Sequence, residues 1–76
     1  MKIRTELTFP EELKAEPIIG NLCKKFDIIV NIVEASFSTD TGWAILIIES
    51  TPAELQKAMD YLKEKGVKID ESMELN

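Results

Sequence analysis

The chain has 76 residues, 45% of them hydrophobic and only three each Gly and Pro, which allows one small core and excludes collagen-like, linker-like and disordered classes. Fourteen acidic against nine basic residues give a formal charge of −5, a balance that argues against nucleic acid or an anionic membrane as partner, since both demand clustered Lys and Arg. With no His and a single Cys, an internal disulfide, a Cys-rich metal or iron–sulfur site and a His-activated nucleophile are all excluded within these residues.

Ile3, Thr5, Leu7 and Phe9 alternate with Lys2, Arg4, Glu6 and Thr8, the period of a strand with one buried and one polar face. Pro10 ends it, and Glu11 to Glu16 read as a loop leading to Pro17, which suits a first helical turn because its missing amide would be unpaired there anyway. Ile18, Ile19, Leu22, Cys23 and Phe26 recur on one side of a short helix. Its last turn holds Lys24 and Lys25, which favour the negative end of the dipole. Asp27 breaks the pattern before a β-branched strand, Ile28 to Phe37. Ser38, Thr39, Asp40, Thr41 and Gly42 then form a turn, with side chains able to bond backbone groups and Gly42 able to take positive φ.

Trp43 to Glu49 returns as the antiparallel half of a hairpin. Thr51, Pro52 and Glu54 are the cap, first helical residue and third residue of a capping box. Leu55, Ala58, Met59 and Leu62 make that helix's buried stripe, and Gly66 its exit. Val67 and Ile69 open a last strand, extended by Met73 and Leu75. The order βαββαβ with right-handed crossovers predicts an α+β, ferredoxin-like sandwich: one four-stranded antiparallel sheet carrying both helices on one face, with the first and third strands central. Residues 1–76 are expected to make a single domain of this kind.

Two helices cover only one sheet face. On an edge strand with regular alternation, Ile29, Val33 and Phe37 lie on one side and Ile28, Val30 and Ile32 on the other, so one apolar row faces away from the helices and offers a contact surface. Trp43, beside the turn, suits either the core or a ligand wall or interface. Asn31, a lone amide in an apolar strand, either satisfies a neighbouring backbone group or faces a ligand or partner.

Little here suits catalysis. Cys23 reads as a core residue, because unpaired Cys behaves as a small hydrophobe. Asp27, Glu34, Asp40 and Glu49 flank the hairpin without the spacing of a metal loop and read as solvated charge. Gly42 stands outside any phosphate-loop pattern, and Arg4 is the only Arg, too little for a phosphate-hydrolysing site on this fold. No enzyme, metal or cofactor is expected. The N-terminus lacks a signal-peptide pattern and no apolar run approaches the roughly 18 residues of a membrane span, so a cytoplasmic location without membrane insertion is the expectation.

Three stretches carry a family likeness: Leu7-Thr8-Phe9-Pro10 followed by Glu16-Pro17-Ile18-Ile19, then Phe26 through Asn31-Ile32-Val33, then Ala58-Met59-Asp60-Tyr61-Leu62 through Gly66-Val67. Together, over residues 3 to 70, they make the sequence resemble a NIL domain, named for an Asn-Ile-Leu tripeptide that stands here as Asn31-Ile32-Val33. Such domains have an ACT-like, ferredoxin-like fold. They sit at the C-terminus of the ATPase subunit of bacterial methionine importers, where they pair and bind methionine to inhibit transport, or they precede iron–sulfur ferredoxin domains.

Importer-type members have a longer hairpin with a Gly-Gly pair and a later Phe-Gly. This sequence keeps only Gly42 by position and is in that respect nearer the ferredoxin-linked group. The resemblance implies a non-catalytic regulatory module that senses a small amino acid, methionine first, and acts as a dimer. The ligand candidates are Asn31, Ile32, Gly42 and Trp43. Ile28, Ile29, Val30, Val33 and Phe37 are the interface candidates toward a second copy or a neighbouring domain. The alternative is a ligand-free pairing or docking module, associated with an iron–sulfur ferredoxin domain.

Overall fold

The period-two segment at the start of the chain forms the strand β1, Lys2–Phe9, in the computed structural model, which describes residues 1–13, 16–38 and 40–75. After it come a 3-10 turn at Glu11–Leu13, α1 at Ile18–Lys25, β2 at Ile29–Phe37, β3 at Gly42–Glu49, α2 at Pro52–Glu64 and β4 at Lys68–Leu75. The four strands make one antiparallel sheet in the order β2-β3-β1-β4, so β1 and β3 are central as the sequence predicts. Thr39 of the expected hairpin turn and Lys14 and Ala15 of the expected loop lie outside the described residues, as does Asn76.

The core is the layer between sheet and helices. Ile3, Leu7 and Phe9 from β1 and Ala44, Leu46 and Ile48 from β3 meet Ile18 and Leu22 of α1 and Leu55, Ala58, Tyr61 and Leu62 of α2. Each fully buried Leu or Ile there contributes roughly 1.5–3 kcal/mol over leaving it in water. Thr5, buried in the same row, donates its hydroxyl to the Glu71 carbonyl at 3.0 Å, so the one polar residue in that stripe is satisfied.

Thr51 caps α2 by accepting from the Glu54 amide at 3.2 Å, with Pro52 in the first turn. Only half of the expected capping box closes. The Glu54 carboxylate accepts instead from the Asp27 amide at 3.1 Å and from Lys57 at 3.0 Å. Those bonds tie the α1–β2 junction to the start of α2 and hold the Glu54 carboxyl below its ordinary pKa, the Asp27 amide being the larger cause. Gly66, at φ 92°, ends the helix in the left-handed region where a side chain would be strained.

Three expectations are corrected. Cys23 is exposed, not core: in an eight-residue helix whose buried line runs through Ile18 and Leu22, the residue after Leu22 is turned about 100° away. Tyr61, absent from the expected stripe, is buried in it, its ring edge-on to Phe26 with centroids 5.6 Å apart. Gly42 does not take positive φ; it lies inside β3.

Candidate functional site

β2 is where the sequence concentrates its candidates, and its pairing with β3 decides which way each one points. The register runs Ile29 to Glu49, Val30 to Ile48, Asn31 to Ile47 and Ile32 to Leu46, then skips Val33 and resumes with Glu34 opposite Ile45. Val33 is thus the extra residue of a β-bulge, and the alternation reverses beyond it. This overturns the expected grouping of Ile29, Val33 and Phe37. Phe37 pairs with Gly42 on the helix side, where its ring tilts against Phe9 at 5.5 Å, whereas Ile29 stays on the open side and is 69% exposed.

Gly42 has a steric purpose there. A Cβ built on it would collide with the Phe37 ring, so only glycine lets that ring lie across the strand. The turn before it is held by Ser38, whose hydroxyl accepts from the Thr41 amide at 3.2 Å and donates to the Thr41 carbonyl at 3.1 Å.

The four ligand candidates do not converge within one chain. Asn31 and Trp43 are exposed and project from the open face, opposite Ile47 and Ser36; Ile32 and Gly42 belong to the helix side. Of the interface candidates, Ile28 and Val30 are half-buried against the core, while Ile29, Val33 and Phe37 are exposed.

Sequence reasoning missed a cavity of about 230 Å³ at the Phe37 end of the helix side. Phe9, Pro10, Pro17, Ile18, Phe37 and Gly42 supply its apolar walls, with Ser38, Thr41 and Glu16 among its polar lining. Glu16 accepts from Lys65 at 2.9 Å, a bond that raises the Lys65 pKa. The only advance signal for this space was the pair Pro10 and Pro17, which bracket a segment unable to continue either neighbouring element.

The open face of the sheet carries four cross-strand rows, read from β2 to β4: Ile29, Glu49, Lys2, Leu75; Asn31, Ile47, Arg4, Met73; Glu34, Ile45, Glu6, Glu71; and Ser36, Trp43, Thr8, Lys68. Arg4 reaches Glu6 at 3.5 Å, Lys2 reaches Glu49 at 3.9 Å and Lys68 reaches Asp70 at 3.6 Å. Glu71 stands directly across from Glu6, whose hydrogen bond and charge push its carboxyl above the ordinary value. Among the described residues no group of three or more His, Cys, Asp or Glu is placed to hold a metal ion, and no helix is long and apolar enough to cross a membrane.

These features define a two-layer α+β sandwich of the ferredoxin-like class, with one covered and one open sheet face. The NIL domain model matches residues 3–71. The chain belongs to the NIL domain family. It is similar to the methionine import ATP-binding protein of Helicobacter pylori, at 32% identity over 84% of this chain and 21% of that protein, and to the one of Protochlamydia amoebophila, at 36% identity over 87% and 20%. The chain thus spans about a fifth of the length of these relatives.

Among solved structures, the C-terminal domain of an ABC transporter ATP-binding protein from Enterococcus faecalis superposes with a TM-score of 0.71 at 17% identity, over 91% of this chain and 82% of that one. A de novo designed protein, Foldit4, superposes at 0.59 and 10% identity, over 99% and 97%. At such identities the likeness is one of fold.

Proposed function

We propose that the chain is a non-catalytic regulatory domain that pairs with a second copy through β2 and holds a small amino acid, methionine foremost, beside the hairpin. One observation carries the pairing: β2 is a sheet edge whose side chains are apolar and exposed along most of its length, Ile29, Ile32, Val33 and Phe37 among them. An edge of this kind is a template for another strand. Antiparallel addition centred on Val33 would join the two sheets edge to edge and keep each copy's Phe37 and cavity on the helix side, close to the seam.

The cavity is smaller than the roughly 300–1,000 Å³ of drug-sized sites and suits something near one amino acid. Its aromatic walls favour a thioether, since sulfur contacts with ring edges are attractive. Membership of the NIL family and the relatives' own names support methionine and a place beside a transporter ATPase, working on its cytoplasmic side. A ligand-free pairing module is the second reading, favoured by the exposure of Asn31 and Trp43 on the face opposite the cavity.

Calorimetric titration with L-methionine, on protein whose association state has been fixed by sedimentation, tests this reading. Saturable heat that disappears in Phe37→Ala, which removes a wall of the cavity, supports it. A stable dimer giving no heat with methionine or other amino acids leaves the pairing module.

A further inference from the structure

The open face lies on the side of the sheet opposite the cavity and shares Ile29 and Val33 with the β2 edge, and its charges select a partner. Trp43, Ile45 and Ile47 make an apolar band along β3, flanked on β2 by Ile29 and Val33 with Asn31, Glu34 and Ser36 between and beyond them. From Trp43 to the row of Ile29 and Glu49 the band is six steps of β3 at about 3.3 Å each, roughly 20 Å, and two strands about 4.8 Å apart give it the width of one helix. The same sheet already accepts helices on its other side, where α2 lays Leu55, Ala58 and Leu62 over the core.

The cations of this face are spent within it: Lys2 on Glu49, Arg4 on Glu6 and Lys68 on Asp70. The row Glu34, Ile45, Glu6, Glu71 therefore holds three carboxylates against the single guanidinium of Arg4. The raised Glu71 pKa reports the same local shortage of positive charge. A second copy laid on this face would bring more acid to it, the chain being at −5. We propose that the open face docks a basic amphipathic helix of a partner protein, its apolar stripe along β2 and β3 and its Lys or Arg residues against Glu34 and Glu71.

Trp43, the only tryptophan, stands on this face and reports its occupation. The probe is a synthetic peptide of about 14 residues, the helix length that spans the band, carrying Leu on one face and Lys on the other, with a Leu/Glu peptide of the same pattern as its counterpart. The expected result is a saturable blue shift of Trp43 emission with the Lys peptide alone. Glu34→Lys and Glu71→Lys should each weaken binding about tenfold, while Glu64→Lys, the same charge change on exposed α2, leaves it unchanged. Equal binding of both peptides, equal loss in Glu64→Lys, no shift with the Lys peptide, or a Trp43 shift that depends only on protein concentration each overturns the proposal. A shift that depends only on protein concentration marks self-association; the other outcomes leave methionine binding, read by calorimetry, and pairing through β2, read by sedimentation, untouched.

Discussion

β2 and β4 are the two edges of one sheet, nearly equal in length, and each carries one bulge, at Val33 and at Asp70. They differ in what their side chains offer. β4 presents Lys68, Asp70, Glu71 and Glu74 along its eight residues, whereas β2 has Glu34 as its only charge in nine. Charged residues on an edge discourage the addition of another strand, and bulges do so as well. Since both edges have a bulge, charge alone separates them. An edge strand's fate is therefore written in residues that contribute almost nothing to the core.

The largest expected effect comes from erasing that difference. Val33→Lys gives β2 a charge of the kind β4 carries and should weaken self-association in sedimentation velocity by tenfold or more with the circular dichroism unchanged, whereas Met73→Lys on β4 leaves association as it was. Equal effects of the two would break the comparison. Gly42→Val, at the start of β3 opposite the end of β2, forces the Phe37 ring off the strand and should lower stability by about 1–3 kcal/mol in urea unfolding. Thr51→Ala removes the cap of α2 and should cost about 1 kcal/mol without altering which edge pairs.

The smallest effect sharpens the description of β4. Glu71 has a folded-state pKa above its unfolded one, so the folded state holds that proton more tightly and stability falls as pH rises from the ordinary glutamate range through the raised value. Glu71→Gln should flatten this slope in urea unfolding measured across weakly acidic pH. Glu54 acts in the opposite sense at lower pH: its depressed pKa gives stability that is present above the ordinary glutamate value and is lost as pH falls through the folded one. That part of the profile should survive in Glu71→Gln.

Much of the fold was legible because hydrophobic period and turn chemistry act locally. The alternation of Ile3, Thr5, Leu7 and Phe9 dictates β1, and Thr51-Pro52 with Gly66 brackets α2 with little error. The sides of β2 were not legible beyond Val33, since a bulge inserts one residue without any change of composition and reverses every position after it. Cys23 was misplaced because one turn of a short helix separates core from solvent by a single residue. Gly42 was identified as special, but for a backbone angle; its true use depends on the Phe37 ring across the hairpin, which period and propensity do not encode. The cavity arises where Pro10, Pro17 and that same ring come together from three separate segments.

The charges of β4 have a further consequence. A sheet with two receptive edges has no stopping rule: each added copy exposes a fresh template, and growth runs on into a fibre. With one receptive edge, a two-fold union consumes it, and the outward-facing strands that remain are both β4, bristling with Lys68, Asp70, Glu71 and Glu74. Under the proposed pairing, growth would stop at the monomer's own far side, so high local concentration would yield closed pairs and not aggregates.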